Sequence, residues 1–345
     1  MARSVTIFVT LLSAPWANAA PPTTDDIRRW VHDLDDPRYR VRDAASKQLL
    51  AAGPPAVAAL LNPAASADAE VADRAFKILA EMADSADGPT ERVARDALRK
   101  LAVGSGRVSV TAAAVLIKRK HDYAGRLTAL GARLEFEGDD VTDIDLDDVK
   151  EMADATALLG EFPETKYLSA STKAFDDAAA KCLTLLPNLE AVNLFQASLG
   201  DEGLKTIATL KKLRRITMGQ SNVTDAGLKT ISGMTQLEYV GVRGNNVTDA
   251  GVKHLQPLKN LTGLYLGETK VTDAGVAELK AFAKLQQVYL HDTDITDACL
   301  PNLIGLKDLE MLTLQKTKIT FEGRAKIKAA LPALEITDEG RDDAP

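Results

Sequence analysis

Val223-Thr224-Asp225-Ala226-Gly227, Val247-Thr248-Asp249-Ala250-Gly251 and Val271-Thr272-Asp273-Ala274-Gly275 are one five-residue block written three times, each copy beginning 24 residues after the last. Ile295-Thr296-Asp297-Ala298-Cys299 continues the series, and Ile319-Thr320 opens a degraded copy. Upstream, Leu199-Gly200-Asp201-Glu202-Gly203 fits the same register. A fixed period in the twenties is the mark of a solenoid, in which one unit buries its apolar face only by stacking on its neighbours.

Ahead of each block runs a second pattern, apolar at its first, fourth and sixth positions: Leu189, Val192, Leu194; Leu213, Ile216, Met218; Leu237, Val240, Val242; Leu261, Leu264, Leu266; Leu285, Val288, Leu290; Leu309, Leu312, Leu314. The fourth and sixth positions are two apart, which is strand spacing. A short polar residue follows each strand (Ser221, Asn245, Thr269, Thr293, Thr317), of a type that bonds backbone where a chain leaves a sheet. After each Thr-Asp pair the spacing becomes helical, as in Ala226, Leu228, Ile231 and Met234. The Thr or Asp before that run is expected to cap the helix by accepting a free N–H of its first turn. Each unit therefore reads as strand, turn, helix and return.

This pattern resembles the leucine-rich-repeat consensus. It is most similar to the variants with a V/I-T-D-A-G-L helix start, like the cysteine-containing repeats of F-box-type proteins, although Ser, Asn or Thr stands here at the cysteine position. The resemblance implies an α/β solenoid of about eight repeats: a right-handed horseshoe with a parallel sheet on the concave side and helices on the convex side. The best copies cover 189–323, and weaker ones (Thr165, Leu168, Ala170; Val141, Ile144, Leu146) extend the register upstream. The whole domain is expected over 127–338. Its cap is at 127–140, where Leu130 to Glu137 shields the first strand, and Leu334 and Ile336 close the far end. Cys182 and Cys299 lie nearly five copies apart. With neighbouring strands roughly 4.8 Å apart, they are beyond reach of a disulfide and are expected as free, buried thiols.

Residues 24–122 follow another rule. Asp25 to Leu34, Tyr39 to Ala52, Pro55 to Leu61, Glu70 to Met82, Glu91 to Val103 and Val108 to Lys118 carry helical spacing, punctuated by Pro37, Gly53-Pro54, Pro63 and Gly88-Pro89. Leu34-Asp35-Asp36-Pro37-Arg38-Tyr39-Arg40-Val41-Arg42-Asp43-Ala44-Ala45 and Ala69-Glu70-Val71-Ala72-Asp73-Arg74-Ala75 resemble HEAT repeats. An all-α HEAT-like domain is expected, and a plain helical bundle is the alternative.

At the N-terminus, Arg3, the apolar run Val5 to Leu12 and Ala17-Asn18-Ala19 read as a signal peptide over 1–20, cut after Ala19 or Ala20. The mature protein is then expected outside the cytoplasmic membrane, secreted or in the periplasm or envelope, without membrane insertion. Residues 339–345 read as a disordered tail. A net charge of −7 argues against nucleic acid as the main partner, because phosphate neutralisation needs a basic face.

Chemistry-bearing motifs are sparse. His32, His121, His254 and His291 show no metal-ligand spacing, and there is no nucleophile elbow, phosphate loop or dinucleotide fingerprint. Asp139, Asp140, Asp143, Asp145, Asp147 and Asp148 crowd the first strand region but lack the glycine and distal Glu of a calcium loop, so a solvated acidic edge is expected. No catalytic residue, metal or cofactor is assigned. In the repeat register the third, fifth and seventh strand positions point away from the core. They carry Phe195, Arg215, Tyr239, Arg243, Tyr265, Tyr289 and His291, with Asp292 just beyond and glycines leaving the floor low. Aromatics make up 5% of the chain, so their gathering on one face points to a protein or peptide partner, for which Tyr and Arg supply the strongest contacts. The expected function is a non-catalytic interaction scaffold. The alternatives are an envelope spacer with no ligand and a substrate-recruiting adaptor of the F-box kind.

Overall fold

A computed structural model describes residues 21–85 and 87–337. The signal-peptide reading of 1–20 and the tail reading of 339–345 lie outside the described residues. The chain divides into two units at His121/Asp122.

The first unit holds α1 (Thr24–Asp33), α2 (Tyr39–Ala52), α3 (Pro54–Ala64), α4 (Ala69–Ala83), α5 (Gly88–Ala102) and the start of α6 (Arg107–Ala129). Side-chain oxygens open several of them. Thr23 and Asp26 cap α1 reciprocally, Asp68 accepts from Glu70 and Val71 N–H, and Asp87 accepts from Thr90 N–H. Alanines at the contacts (Ala45, Ala56, Ala75, Ala94) let helices pack closely around Leu49, Leu60, Leu79 and Leu98. Pro63 does not punctuate α3 as its residue type suggests. The helix runs through it to Ala64, because in the last turn the missing N–H costs a single bond.

The second unit is a ten-stranded sheet in sequence order. β1 (Arg133–Glu137) pairs antiparallel with β2 (Asp140–Asp145). All later pairs are parallel: β3 (Tyr167–Ser169), β4 (Ala191–Asn193), β5 (Arg215–Thr217), β6 (Tyr239–Gly241), β7 (Gly263–Tyr265), β8 (Gln287–Tyr289), β9 (Met311–Thr313) and β10 (Glu335–Thr337). Register follows the repeat, with Val192 beside Ile216, Ile216 beside Val240 and Val240 beside Leu264. Between strands come α7 (Met152–Leu158), α8 (Asp201–Ile207), α9 (Asp225–Ile231), α10 (Asp249–His254), α11 (Asp273–Glu278), α12 (Leu300–Gly305) and α13 (Phe321–Ala330). The Leu, Val and Ile columns form one continuous core between sheet and helices. Cys182 and Cys299 are free and buried within it.

Two polar ladders recur along the repeats; in the first, only the Ser221 and Asn245 bonds cross to the neighbouring repeat, while the three threonines bond within their own. At the strand exits the hydroxyls of Ser221, Thr269, Thr293 and Thr317 donate to the carbonyls of Leu194, Leu266, Leu290 and Leu314. Asn245 donates to Met218 and accepts from Val223 N–H. The second ladder splits the Thr-Asp pair into two roles. Thr224, Thr248, Thr272 and Thr296 cap their own helices, each accepting from the alanine N–H two residues on. The aspartates reach instead to the next repeat. Asp225 accepts from Thr248 N–H at 2.8 Å and Thr248 Oγ1–H at 2.6 Å. Asp201, Asp249, Asp273 and Asp297 hold Thr224, Thr272, Thr296 and Thr320 in the same way. The block's glycine follows from this. A Cβ at Gly227, Gly251, Gly275 or Gly323 would stand 2.3–2.4 Å from the preceding repeat's aspartate oxygen.

A candidate binding face on the sheet

The side chains that alternate away from the core gather in β5 to β9. Tyr239, Tyr265 and Tyr289 form a small apolar cluster of their own, with Met311 packed against it. The Tyr265 and Tyr289 rings lie 4.5 Å apart, tilted by 44°, and the His291 ring is 5.4 Å from Tyr265. Neighbouring strands bring these residues together because parallel pairing sets Tyr265 directly beside Tyr289.

These rings are not an open surface. Each of the three tyrosines, and His291, is only 4% exposed. The glycines do not leave a low floor either, because rings lie over them. A Cβ at Gly263 would stand 2.2 Å from the Tyr239 ring, one at Gly267 2.2 Å from the His291 ring, and one at Gly219 2.7 Å from the Phe195 ring. Each ring thus leans sideways onto a glycine of the adjacent strand.

Charge surrounds the cluster unevenly. Arg243 pairs with Glu268, Nε to Oε1 at 2.8 Å, and its guanidinium lies 6.0 Å from the half-buried Phe195 ring. Arg215 is exposed, its guanidinium 5.4 Å from the Tyr239 ring. Asp292 stays at the rim, exposed, 3.6 Å from Lys316 Nζ. Glu268, which the strand pattern alone does not single out, lies in a row of left-handed residues at the strand exits: Gln196, Gln220, Glu268, Asp292 and Lys316 have φ of 51–61°. That backbone recurs every 24 residues, with Gly244 at the remaining place in the row.

Burial pushes the Glu268 carboxyl up, but hydrogen bonds and charge from Arg243, with help from His291 and Gln220, outweigh it and hold it below its ordinary value. Burial and then the Arg243 charge push His291 down, with Glu268 partly offsetting them. Burial raises the Tyr239 and Tyr265 hydroxyls. His291 Nδ1 sits 3.3 Å from Thr313 Oγ1, whereas Nε2 is 3.7 Å from Glu268 Oε1, too long for a hydrogen bond. Among the described residues, the buried Tyr239 hydroxyl and His291 Nε2 have no hydrogen-bond partner. The acidic edge at β2 is used within the fold: Arg133 pairs with Asp145 and Asp148, and Asp147 accepts from Ser169 Oγ and Ser171 N–H.

Residues 186–208 match a family model described as Leucine Rich repeat. Parallel strands alternating with helices, in one sheet preceded by a helical region, give the chain a leucine-rich-repeat-like fold. Internalin C2 of Listeria monocytogenes is 22% identical over 52% of this chain and 72% of its own, with a TM-score of 0.41. A second internalin of that organism, inlF, is 20% identical over 54% and 57% of the two chains, TM-score 0.41. A leucine-rich-repeat protein of Leptospira interrogans is 17% identical over 52% and 56%, TM-score 0.33. The present chain thus covers just over half the length of the last two. No curated protein matches the sequence. Among the described residues, no helix is long and apolar enough to cross a membrane.

Proposed function

We propose that this chain is an exported, non-catalytic binding scaffold. Its repeat domain is a right-handed horseshoe that grips a protein or peptide on the concave face. Phe195, Arg215, Arg243 and Asp292 make the contacts, over a floor formed by the buried rings of Tyr239, Tyr265, Tyr289 and His291, and no cofactor takes part. The observation that carries the reading is the tyrosine cluster, assembled from adjacent strands on the face away from the core and flanked by two arginines. Such rigid aromatics with neighbouring guanidinium groups are the residues on which protein interfaces concentrate their energy. The N-terminal unit acts as a HEAT-like prop. Packing of α1 on α3, α3 on α5 and α2 on α4 supports that reading, since alternate helices of an α-solenoid share a layer.

A structural spacer is the second reading, favoured by the burial of the rings, which can be taken as packing for its own sake. Affinity capture separates the two. The full chain and its Tyr265→Ala/Tyr289→Ala form serve as baits, with circular dichroism confirming that both are folded. A protein retained by the parent alone supports binding at this face. Identical capture by both baits, or none by either, moves the assignment to the spacer.

A further inference from the structure

We infer that Met311 is an oxidation site at the edge of the tyrosine cluster: a peroxide takes its thioether to the sulfoxide, and the Tyr289 hydroxyl fixes which sulfoxide epimer forms. Besides Met1, which lies outside the described residues, the chain has five methionines. Met82, Met152, Met218 and Met234 are 1, 6, 0 and 3% exposed and sit inside the two cores. Met311 is half-buried and packs instead against Tyr239, Tyr265 and Tyr289. Its backbone is paired on both sides, with Gln287 of β8 and Glu335 of β10, so what reaches solvent is the side chain.

The sulfur is also oriented. Tyr289 Oη donates to Met311 Sδ at 3.2 Å. A thioether sulfur has two lone pairs, and this hydrogen bond occupies one of them. The other attacks the peroxide. An S–O bond forms as the O–O bond breaks, and sulfur is oxidised by two electrons. The peroxide's second oxygen leaves, takes the proton of the transferred hydroxyl and departs as water. Attack through one lone pair gives one epimer at the new sulfur stereocentre. The product's oxygen is a stronger acceptor than the thioether, and it is borne by the atom that the Tyr289 hydroxyl already contacts. An apolar edge of the ring floor thereby becomes polar, which, on the binding reading above, weakens the hold on the partner.

Hydrogen peroxide treatment of the full chain, followed by proteolysis and peptide mass spectrometry, tests the site. In the folded chain Met311 is expected to gain one oxygen about tenfold or more faster than Met82, Met152, Met218 and Met234, because susceptibility follows exposure. In urea all five should react at similar rates. The two epimer-specific sulfoxide reductases, applied to the Met311 peptide, should differ, one restoring nearly all of it and the other little. Tyr289→Phe, which keeps the ring and removes the hydroxyl, should yield both epimers. Met311 oxidised no faster than the other four in the folded chain overturns the site. Equal epimers from the parent, or the same single epimer from Tyr289→Phe, overturn the part given to Tyr289. Partner capture separates this inference from the binding reading. Peroxide is expected to reduce capture by the parent but not by Met311→Leu. If the untreated parent captures nothing, the binding reading fails while the oxidation site stands. If capture is unchanged although Met311 is oxidised, the consequence for the partner fails.

Discussion

Gly251→Ala tests the aspartate ladder. A Cβ at residue 251 would stand 2.3 Å from Asp225 Oδ1, and 3.0 Å from both Leu228 Cδ1 and Val247 Cγ1. The aliphatic atoms need to shift a few tenths of an ångström, and unless the first turn of the helix rearranges the carboxylate must leave. In leaving it gives up Thr248, whose N–H and Oγ1–H it accepts at 2.8 and 2.6 Å. Hydrogen bonds to charged acceptors contribute about 1.5–3 kcal/mol each when sheltered, and these are partly solvated, so the pair sets an upper bound of about 3 kcal/mol. Cys299 shows the available relaxation. There a Cβ stands in the glycine's place, the first turn tightens to a 3-10 helix over Asp297–Cys299, and Asp273 keeps both bonds to Thr296 at 2.7 Å. Gly251→Ala is therefore expected to cost about 1–3 kcal/mol.

The cause is isolated by adding Asp225→Ala. That change alone removes the same two bonds, so the double variant should be little less stable than Asp225→Ala, with a coupling of about 1–2 kcal/mol. Urea unfolding of the full chain reads this, followed by near-ultraviolet circular dichroism, since five of the six tyrosines lie in the second unit. Strictly additive losses would refute the reasoning, as would a Gly251→Ala variant within about 0.5 kcal/mol of the parent.

Two further outcomes follow from burial. Desolvation pushes both thiols up to about 12, with Asp273 adding to the effect at Cys299. A thiol-specific reagent should then label neither cysteine in the native protein at mildly alkaline pH, and both after denaturation; fast native labelling of either contradicts this. His291 is held below its ordinary 6.5, so the unfolded chain binds a proton that the folded chain refuses. Stability falls as pH drops below about 6.5 and levels off once the folded pKa is passed, while the Glu268 loss lies lower, below its ordinary 4.5. His291→Gln should flatten the upper part of the melting-temperature profile, and an unaltered profile would remove His291 as its source.

The repeat made most of the second unit legible. Positions two apart at fixed spacing define strands, and the 24-residue offset defines which strands touch and in what register. The aspartate ladder was not legible, because Thr and Asp are adjacent in sequence and a helix cap explains either one locally. The actual partner of each aspartate lies 23 residues on. Only the glycine hinted at it: a helix start needs no glycine three residues after its Thr cap unless a neighbour occupies the space of its Cβ.

At the candidate site, strand alternation identified the face but not its burial. Which way a ring leans on a sheet is set by the volume of the next strand's side chain. Aligning copies places Phe195 beside Gly219 and Tyr239 beside Gly263, which is where the rings lie. Tyr265 and Tyr289 face each other instead, and stack. Packing thus accounts for every ring, and the spacer reading rests on that. It does not account for the polar atoms. Phenylalanine at 239 would fill the same volume without enclosing a hydroxyl that meets no acceptor among the described residues, a burden of about 1–3 kcal/mol. His291 Nε2 raises the same objection. A face built only to be filled would favour the cheaper residues. One built to receive a hydrogen-bonding partner has reason to keep Tyr239 and His291, and that difference is why the binding reading is preferred.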